Sequence, residues 1–175
     1  MSTMQSAAVK DAVFSDLERE LNVTRKVLER VPAAQFSWKP HEKSMSFGRL
    51  AMHVATLPQW MLTTIENDEL DFSNPPQMRM EPESSEDLLS TFDDQAAAVK
   101  KALARIDDAA LECTWTLRNG DQILHRNSKL TILRIWCLNH MIHHRAQLCI
   151  YLRLLNIPVP AVYFNSADEP QWVFD

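Results

Sequence analysis

Only two of the 175 residues are glycine, Gly48 and Gly120. That scarcity narrows the fold more than any motif does. Sheet-rich folds turn the chain often, and tight turns draw on glycine because it accepts positive φ without a steric penalty. A chain with so few turn residues leans towards helices. It is also long enough to bury a real core, so a single domain over residues 1–175 is expected.

Apolar spacing places the helices. The first should run from about Val9 to Val31, with Val13, Leu17, Leu21, Leu28 and Val31 on its stripe and Pro32 as its stop. Residues 33–45 form a connector holding Phe36, Trp38 and Pro40. Ser46 reads as the N-cap of a second helix, in which Leu50, His53, Val54, Leu57, Trp60 and Met61 recur at helical spacing. Pro58 falls inside that pattern and should kink the helix or end it early. Residues 67–83 are polar, carry Pro75, Pro76 and Pro82, and read as a loop.

Ser84 or Ser85 caps a third helix, in which Leu88, Phe92, Ala96, Val99, Leu103 and Ile106 follow the three-and-four spacing of a bundle seam. Residues 113–125 break the helical pattern. Thr114 to Leu117 favour extended structure, Asn119-Gly120 is a two-residue turn signal, and Gln122 to His125 can return as a strand. A fourth helix begins near Ser128 and reaches about Leu155, with Ile132, Leu133, Trp136, Cys137, His140, His144, Leu148 and Tyr151 on one broad side. Pro158 and Pro160 close it, and a polar-aromatic tail follows. The expected fold is therefore all-α, a four-helix bundle with a small hairpin or irregular crossover before the last helix.

Charge and cysteines bound the partners. A formal net charge of −5 argues against nucleic acid, since phosphate binding needs a basic face. Met1 to Lys10 show no apolar run or cleavage signature of a secretory signal, and no stretch is apolar for the length of a membrane span. Cys137 and Cys149 sit twelve positions apart on one helix, roughly 18 Å along its axis, too far to bond. A reduced, cytoplasmic setting is the simpler expectation.

The chain has six histidines, His41, His53, His125, His140, His143 and His144. Residues four apart on a helix are neighbours, so His140 and His144 can grip one metal ion between their imidazoles. His143 is turned by about 100° from His144 and cannot easily share that ion. His53 sits in mid-stripe on the second helix. Three buried imidazoles leave many polar nitrogens to satisfy, and a common ion satisfies them together. The competing reading is a set of hydrogen-bonded core histidines. A zinc-protease signature fails because Met141, not Glu, follows His140. A di-iron bundle fails because Cys137 stands where the Glu of Glu-x-x-His belongs. Nothing marks a nucleophile elbow.

Three neutral histidines without a carboxylate leave a coordination position open for water or a substrate oxygen or sulfur. Such a set suits Zn²⁺, or Ni²⁺ and Fe²⁺ where the geometry expands. A metal there lowers the pKa of bound water or of a thiol.

Four motifs in order carry a family resemblance. They are Phe36-Ser37-Trp38-Lys39-Pro40, Ser46-Phe47-Gly48-Arg49-Leu50-Ala51-Met52-His53, His140-Met141-Ile142-His143-His144-Arg145-Ala146-Gln147, and Ile157-Pro158-Val159-Pro160. Together they resemble the DinB-like (YfiT-type) metal-dependent bundle proteins across nearly the whole chain. The resemblance implies up-down-down-up connectivity, a Zn²⁺ or Ni²⁺ ion on His53, His140 and His144, and a homodimer. It further implies a small-molecule substrate and S-transfer or isomerisation with a low-molecular-weight thiol, with hydrolysis as the other chemistry such a metal supports. Ala146 departs from the family's usual Gly after His-His-Arg, a mild change that leaves the ligands intact. The family's association with DNA damage gives no DNA-binding chemistry to an acidic chain. The rival function is a metal-binding or stress-response protein without turnover.

Around the histidines, Gln147 can orient a ligand, and Arg145 can pair with an acidic substrate or with a carboxylate of a neighbouring helix. Asp16 and Glu20 are the available candidates for carboxylates behind the ligands. His41 and His125 read as loop or surface residues, Tyr151 as core. Trp60, Trp115 and Trp136 read as core aromatics, with Trp60 or Trp136 as a second choice for a pocket wall.

Overall fold

The first predicted helix is broken in two. In this computed structural model, which describes residues 9–75 and 79–169, α1 spans Val9–Val13 and α2 spans Leu17–Leu28. Residues 1–8, Pro76 of the expected loop and the end of the tail from Pro170 lie outside the described residues. The segment before the break is held by a distant part of the chain. Asp108 accepts hydrogen bonds from the backbone of Val9 and Lys10, and Lys10 Nζ donates to the Ile106 carbonyl. These contacts hold α1 over a later part of the chain, while Leu17, Leu21 and Leu28 bury into the core from α2.

Ser46 caps α3, Phe47–Glu66, by accepting from Arg49 N at 3.2 Å. The helix continues through Pro58, so the early stop does not occur. Ser84 caps α4, Ser85–Arg105, and its predicted stripe is buried from Leu88 to Leu103. A short α5, Asp108–Glu112, follows with Asp107 as its cap. Burying each such Leu or Phe stabilises the fold by about 1.5–3 kcal/mol.

The hairpin forms, and it is larger than expected. Strand β2, Thr114–Asn119, pairs antiparallel with β3, Gln122–Ser128. Asn119 pairs with Gln122, so the turn residues are Gly120-Asp121 rather than Asn119-Gly120. Gly120 takes the left-handed conformation, φ 59°, that a two-residue hairpin loop demands. The polar loop contributes what its sequence hid: β1, Glu69–Asp71, lies parallel to β2 and makes a three-stranded sheet. Asp71 accepts from Gly120 N at 2.9 Å and so pins the turn. The fold is therefore mostly helical with a small sheet, and not the all-α bundle the spacing suggested.

The last helical run is continuous from Lys129 to Leu154 but changes pitch. A first turn, α6, Lys129–Thr131, leads into a π-helical stretch, Ile132–Asn139, and then α7, His140–Leu154. The wider i→i+5 bonding shifts the phase of the side chains. Ile132, Leu133 and Cys137 stay buried, but Trp136 is turned out to 41% exposure and is not the core aromatic expected. Its ring packs against His125 at a tilt of 45°, centroids 5.0 Å apart. Trp115 is core, and Tyr151 is half-buried between Trp38 and Phe47.

Contacts at the element ends fix which ends meet. Ser46, heading α3, bonds to Glu81, just ahead of α4. Ser85, heading α4, donates to the carbonyl of Val31, just beyond α2. Tyr151 on α7 donates to the Met45 carbonyl before α3, and Arg134 in the π-helical stretch reaches Asp16 ahead of α2. In the middle, Arg145 on α7 is ion-paired with Glu20 on α2 at 2.8 Å, with side chains 2% and 4% exposed. Thr24 and Tyr163 complete the hydrogen bonds of that pair.

Candidate metal centre

His53 stands in the second turn of α3, on the face that α7 covers. His140 and His144 occupy the first two turns of α7, on its matching face. The structure brings these three side chains together: one ligand atom from each lies within 4.8 Å of the others. The Nε2 atom of His140 is 2.8 Å from Nε2 of His144 and 3.4 Å from Nε2 of His53.

Those spacings have a coordination meaning. Nitrogens bound at about 2.0–2.1 Å sit about 3.3–3.4 Å apart in a tetrahedral site and about 2.9 Å apart at right angles. The separations of 2.8 and 3.4 Å run from the right-angle value to the tetrahedral one.

The far sides of two rings are fixed. His140 Nδ1 donates to the Trp136 carbonyl at 3.2 Å, and His144 Nδ1 donates to Gln147 Oε1 at 2.7 Å. The backbone N–H of His140 bonds to the Cys137 carbonyl, and the Trp136 oxygen takes the ring proton. Gln147 is held in turn by donating Nε2–H to His143 Nε2 at 3.1 Å. With their protons on Nδ1, both rings present bare Nε2 lone pairs to the same point.

The electrostatics keep them bare. Burial, then the neighbouring His144, His140 and Arg49, pushes His53 down to about 4. Burial also lowers His140, against the raising effect of its bond to Trp136, and lowers His144, against that of Gln147. All three rings are thus neutral near pH 7. Converging neutral lone pairs repel one another, and a cation between them removes the repulsion. The donor set fits a divalent ion of the Zn²⁺, Ni²⁺ or Fe²⁺ class.

The remaining candidates sort as follows. His143 is exposed and serves Gln147. His41 is exposed in the connector. His125 is half-buried on the sheet beside Trp136. Asp16 and Glu20 do not stand behind the ligands: Asp16 pairs with Arg134 and Glu20 with Arg145. Arg145 is buried in that pair and is not offered to a substrate. Trp60 is half-buried with its ring 6.4 Å from His140 and 6.2 Å from Phe72, so it walls one side of the site. Sequence reasoning missed the Trp136 carbonyl, because backbone acceptors carry no residue signature. It also missed Phe72, which lay in a loop without periodicity.

The sequence pattern of the DinB family matches residues 1–172. Among solved structures, a DinB-like protein from Bacillus cereus is 21% identical with a TM-score of 0.70, covering 91% of this chain and 100% of that one. A DinB-like protein from Bacillus subtilis is 20% identical with a TM-score of 0.65, covering 86% and 96% of the two chains. A DinB family member from Exiguobacterium sibiricum is 17% identical with a TM-score of 0.56, covering 87% and 95%. These likenesses show a shared fold. No curated protein matches the sequence.

Proposed function

The chain belongs to the DinB family, and on that premise we propose that His53, His140 and His144 hold one divalent metal ion in a metal-dependent enzyme acting on a small molecule. The carrying observation is the pair of Nδ1 donations, to Trp136 and Gln147, that leaves two Nε2 lone pairs 2.8 Å apart. Zn²⁺ or Ni²⁺ is the preferred ion, with Fe²⁺ as the third choice.

When bound, the ion supplies Lewis acidity that deprotonates a coordinated thiol or water near neutral pH. The protein's own contribution is positional. Gln147 and the Trp136 carbonyl lock ring orientation and tautomer. The three imidazoles leave a fourth position open. Trp60, with its ring 6.4 Å from His140, would offer an apolar wall beside the ion. Small-thiol-dependent S-transfer is the reaction we put first, and hydrolysis second. The alternative is a non-catalytic metal-binding or stress-response bundle protein.

The wider reading is a cytoplasmic, single-domain homodimer over residues 1–175 with four long helices in up-down-down-up order. The end contacts of Ser46, Ser85, Tyr151 and Arg134 support that order. Ile135, Ile150 and Leu154, 53%, 59% and 56% exposed on the last helix, support a second copy on its outer face. Three free cysteines agree with a reducing compartment. Among the described residues no helix is long and apolar enough to cross a membrane, and the net charge of −5 disfavours nucleic acid.

The enzymatic half is tested by assaying metal-loaded protein and a His144→Ala variant against a panel of electrophiles with several small thiols, and of esters and amides without them. Turnover that needs His144 supports the enzyme. Full metal occupancy with no product across the panel favours the non-catalytic alternative.

A further inference from the structure

The histidine cluster has unlike flanks along α3. Two turns beyond His53, Trp60 and Phe72 make an aromatic end. One turn before it, the chain places Arg49, which is exposed. Among the described residues no carboxylate pairs with its guanidinium, although the chain has 23 acidic residues. Arg49 lines a cleft of about 430 Å³ together with Phe36, Lys39, Ser44, Met45 and Glu81. Glu81 is the one acidic group there. Its Oε1 accepts from Ser46 Oγ at 3.2 Å, and its Oε2 lies over Gly48. The lining therefore carries two cations against one anion.

We propose that Arg49 is a specificity residue that binds a carboxylate carried by the small molecule whose reacting atom occupies the open position at the three histidines. This rests on the metal reading above. A planar guanidinium matches a carboxylate in two parallel hydrogen bonds. A lining with one net positive charge suits a monoanion. Arg49 and His53 are four positions apart on α3, so their side chains leave the same helix face with Cβ atoms about 5–6 Å apart. That span fits a carboxylate two or three carbons from the sulfur or oxygen donor. The aromatic flank takes the apolar part of the molecule and sets its direction.

The test uses two thiols of similar size, 3-mercaptopropionate and neutral 2-mercaptoethanol, titrated into Co²⁺-loaded protein and followed by the thiolate-to-metal absorption band. Wild type should bind the carboxylated thiol about tenfold more tightly, in keeping with one charge-assisted pair. Arg49→Met should abolish the preference while leaving 2-mercaptoethanol affinity and cobalt content unchanged, and Arg49→Lys should keep part of it. In metal-free protein the Arg49 Nε–H NMR signal should shift with 3-mercaptopropionate and not with 2-mercaptoethanol. Equal binding of both thiols by wild type, or a preference that survives Arg49→Met, overturns the proposal. Failure to take up cobalt contradicts the metal reading instead, and the metal-free NMR titration then decides the role of Arg49 by itself.

Discussion

His144 Nδ1 donates to Gln147 Oε1 at 2.7 Å while Nε2 of the same ring lies 2.8 Å from Nε2 of His140. One face of the imidazole is thus committed to the protein and the other to whatever occupies the cluster. Gln147→Leu removes the first commitment without touching a ligand. Metal affinity should fall about 10–100-fold, the usual effect of losing such a partner. Gln147→Glu, which keeps the acceptor, should retain it. Competition with a chromophoric chelator measures both. Equal affinities for Gln147→Leu and wild type would remove Gln147 from the site.

The neutral histidines make the metal-free protein acid-sensitive. An unfolded histidine titrates near 6.5, whereas folded His53 is held at about 4, and His140 and His144 are lowered too. Between those values the unfolded chain takes up protons that the folded chain refuses. Stability is therefore full above pH 6.5 and declines as pH falls towards 4. Urea midpoints of metal-free protein should drop from pH 7.5 to pH 5, and His53→Leu should reduce the drop. A midpoint constant over that range contradicts the assignment.

Gly48 sits where the connector presses on the first turn of α3. A Cβ there would lie 2.8 Å from Phe36 Cβ, 3.0 Å from Phe36 Cγ and 3.1 Å from Glu81 Oε2. Gly to Ala inside an open helix gains about 1 kcal/mol. Here crowding against a side chain's root should outweigh that gain, and Gly48→Ala should destabilise by about 1–3 kcal/mol. Chemical denaturation checks the sign, and a stabilised variant would refute the close packing.

Arg145 and Glu20 form a buried pair between α7 and α2. Arg145→Met strands a carboxylate in the core and should destabilise by about 3–5 kcal/mol. The double variant Glu20→Gln with Arg145→Met should recover a large part of that loss. Additive losses would mean that the two side chains act independently.

The outer face of α7 presents Ile150 and Leu154 to solvent. If a second copy covers that face, Ile150→Asp should shift the sedimentation coefficient from dimer to monomer while leaving metal binding intact. A monomeric wild type would contradict the homodimer.

Much of this molecule was readable from its residues. Ser46 and Ser84 announced two helices because a capping oxygen is a local device, and the stripe from Leu88 to Leu103 buried as its spacing required. The closeness of His53, His140 and His144 was legible because two are helical neighbours and the third lay mid-stripe on another helix. The failures were non-local. The break after Val13 depends on Asp108, far along the chain. Strand β1 depends on pairing with β2 and carries three residues without a periodic signal. Trp136 turned outward because the helix changed its hydrogen-bond step, which no side-chain pattern encodes. Asp16 and Glu20 were drawn to arginines, because a cation near a carboxylate competes with any imidazole for it.

The central claim is that three imidazoles share one ion, and elemental analysis of purified protein tests it most directly. Wild type, exchanged into metal-free buffer after loading with Zn²⁺, should retain about one ion per chain, as three converging imidazoles, two of them with fixed tautomers, would hold it. His53→Ala should lose that ion although His140 and His144 remain adjacent on α7. Retention of the same metal content by His53→Ala would contradict the account, because the residue that joins the two helices at the site would then have no part in it.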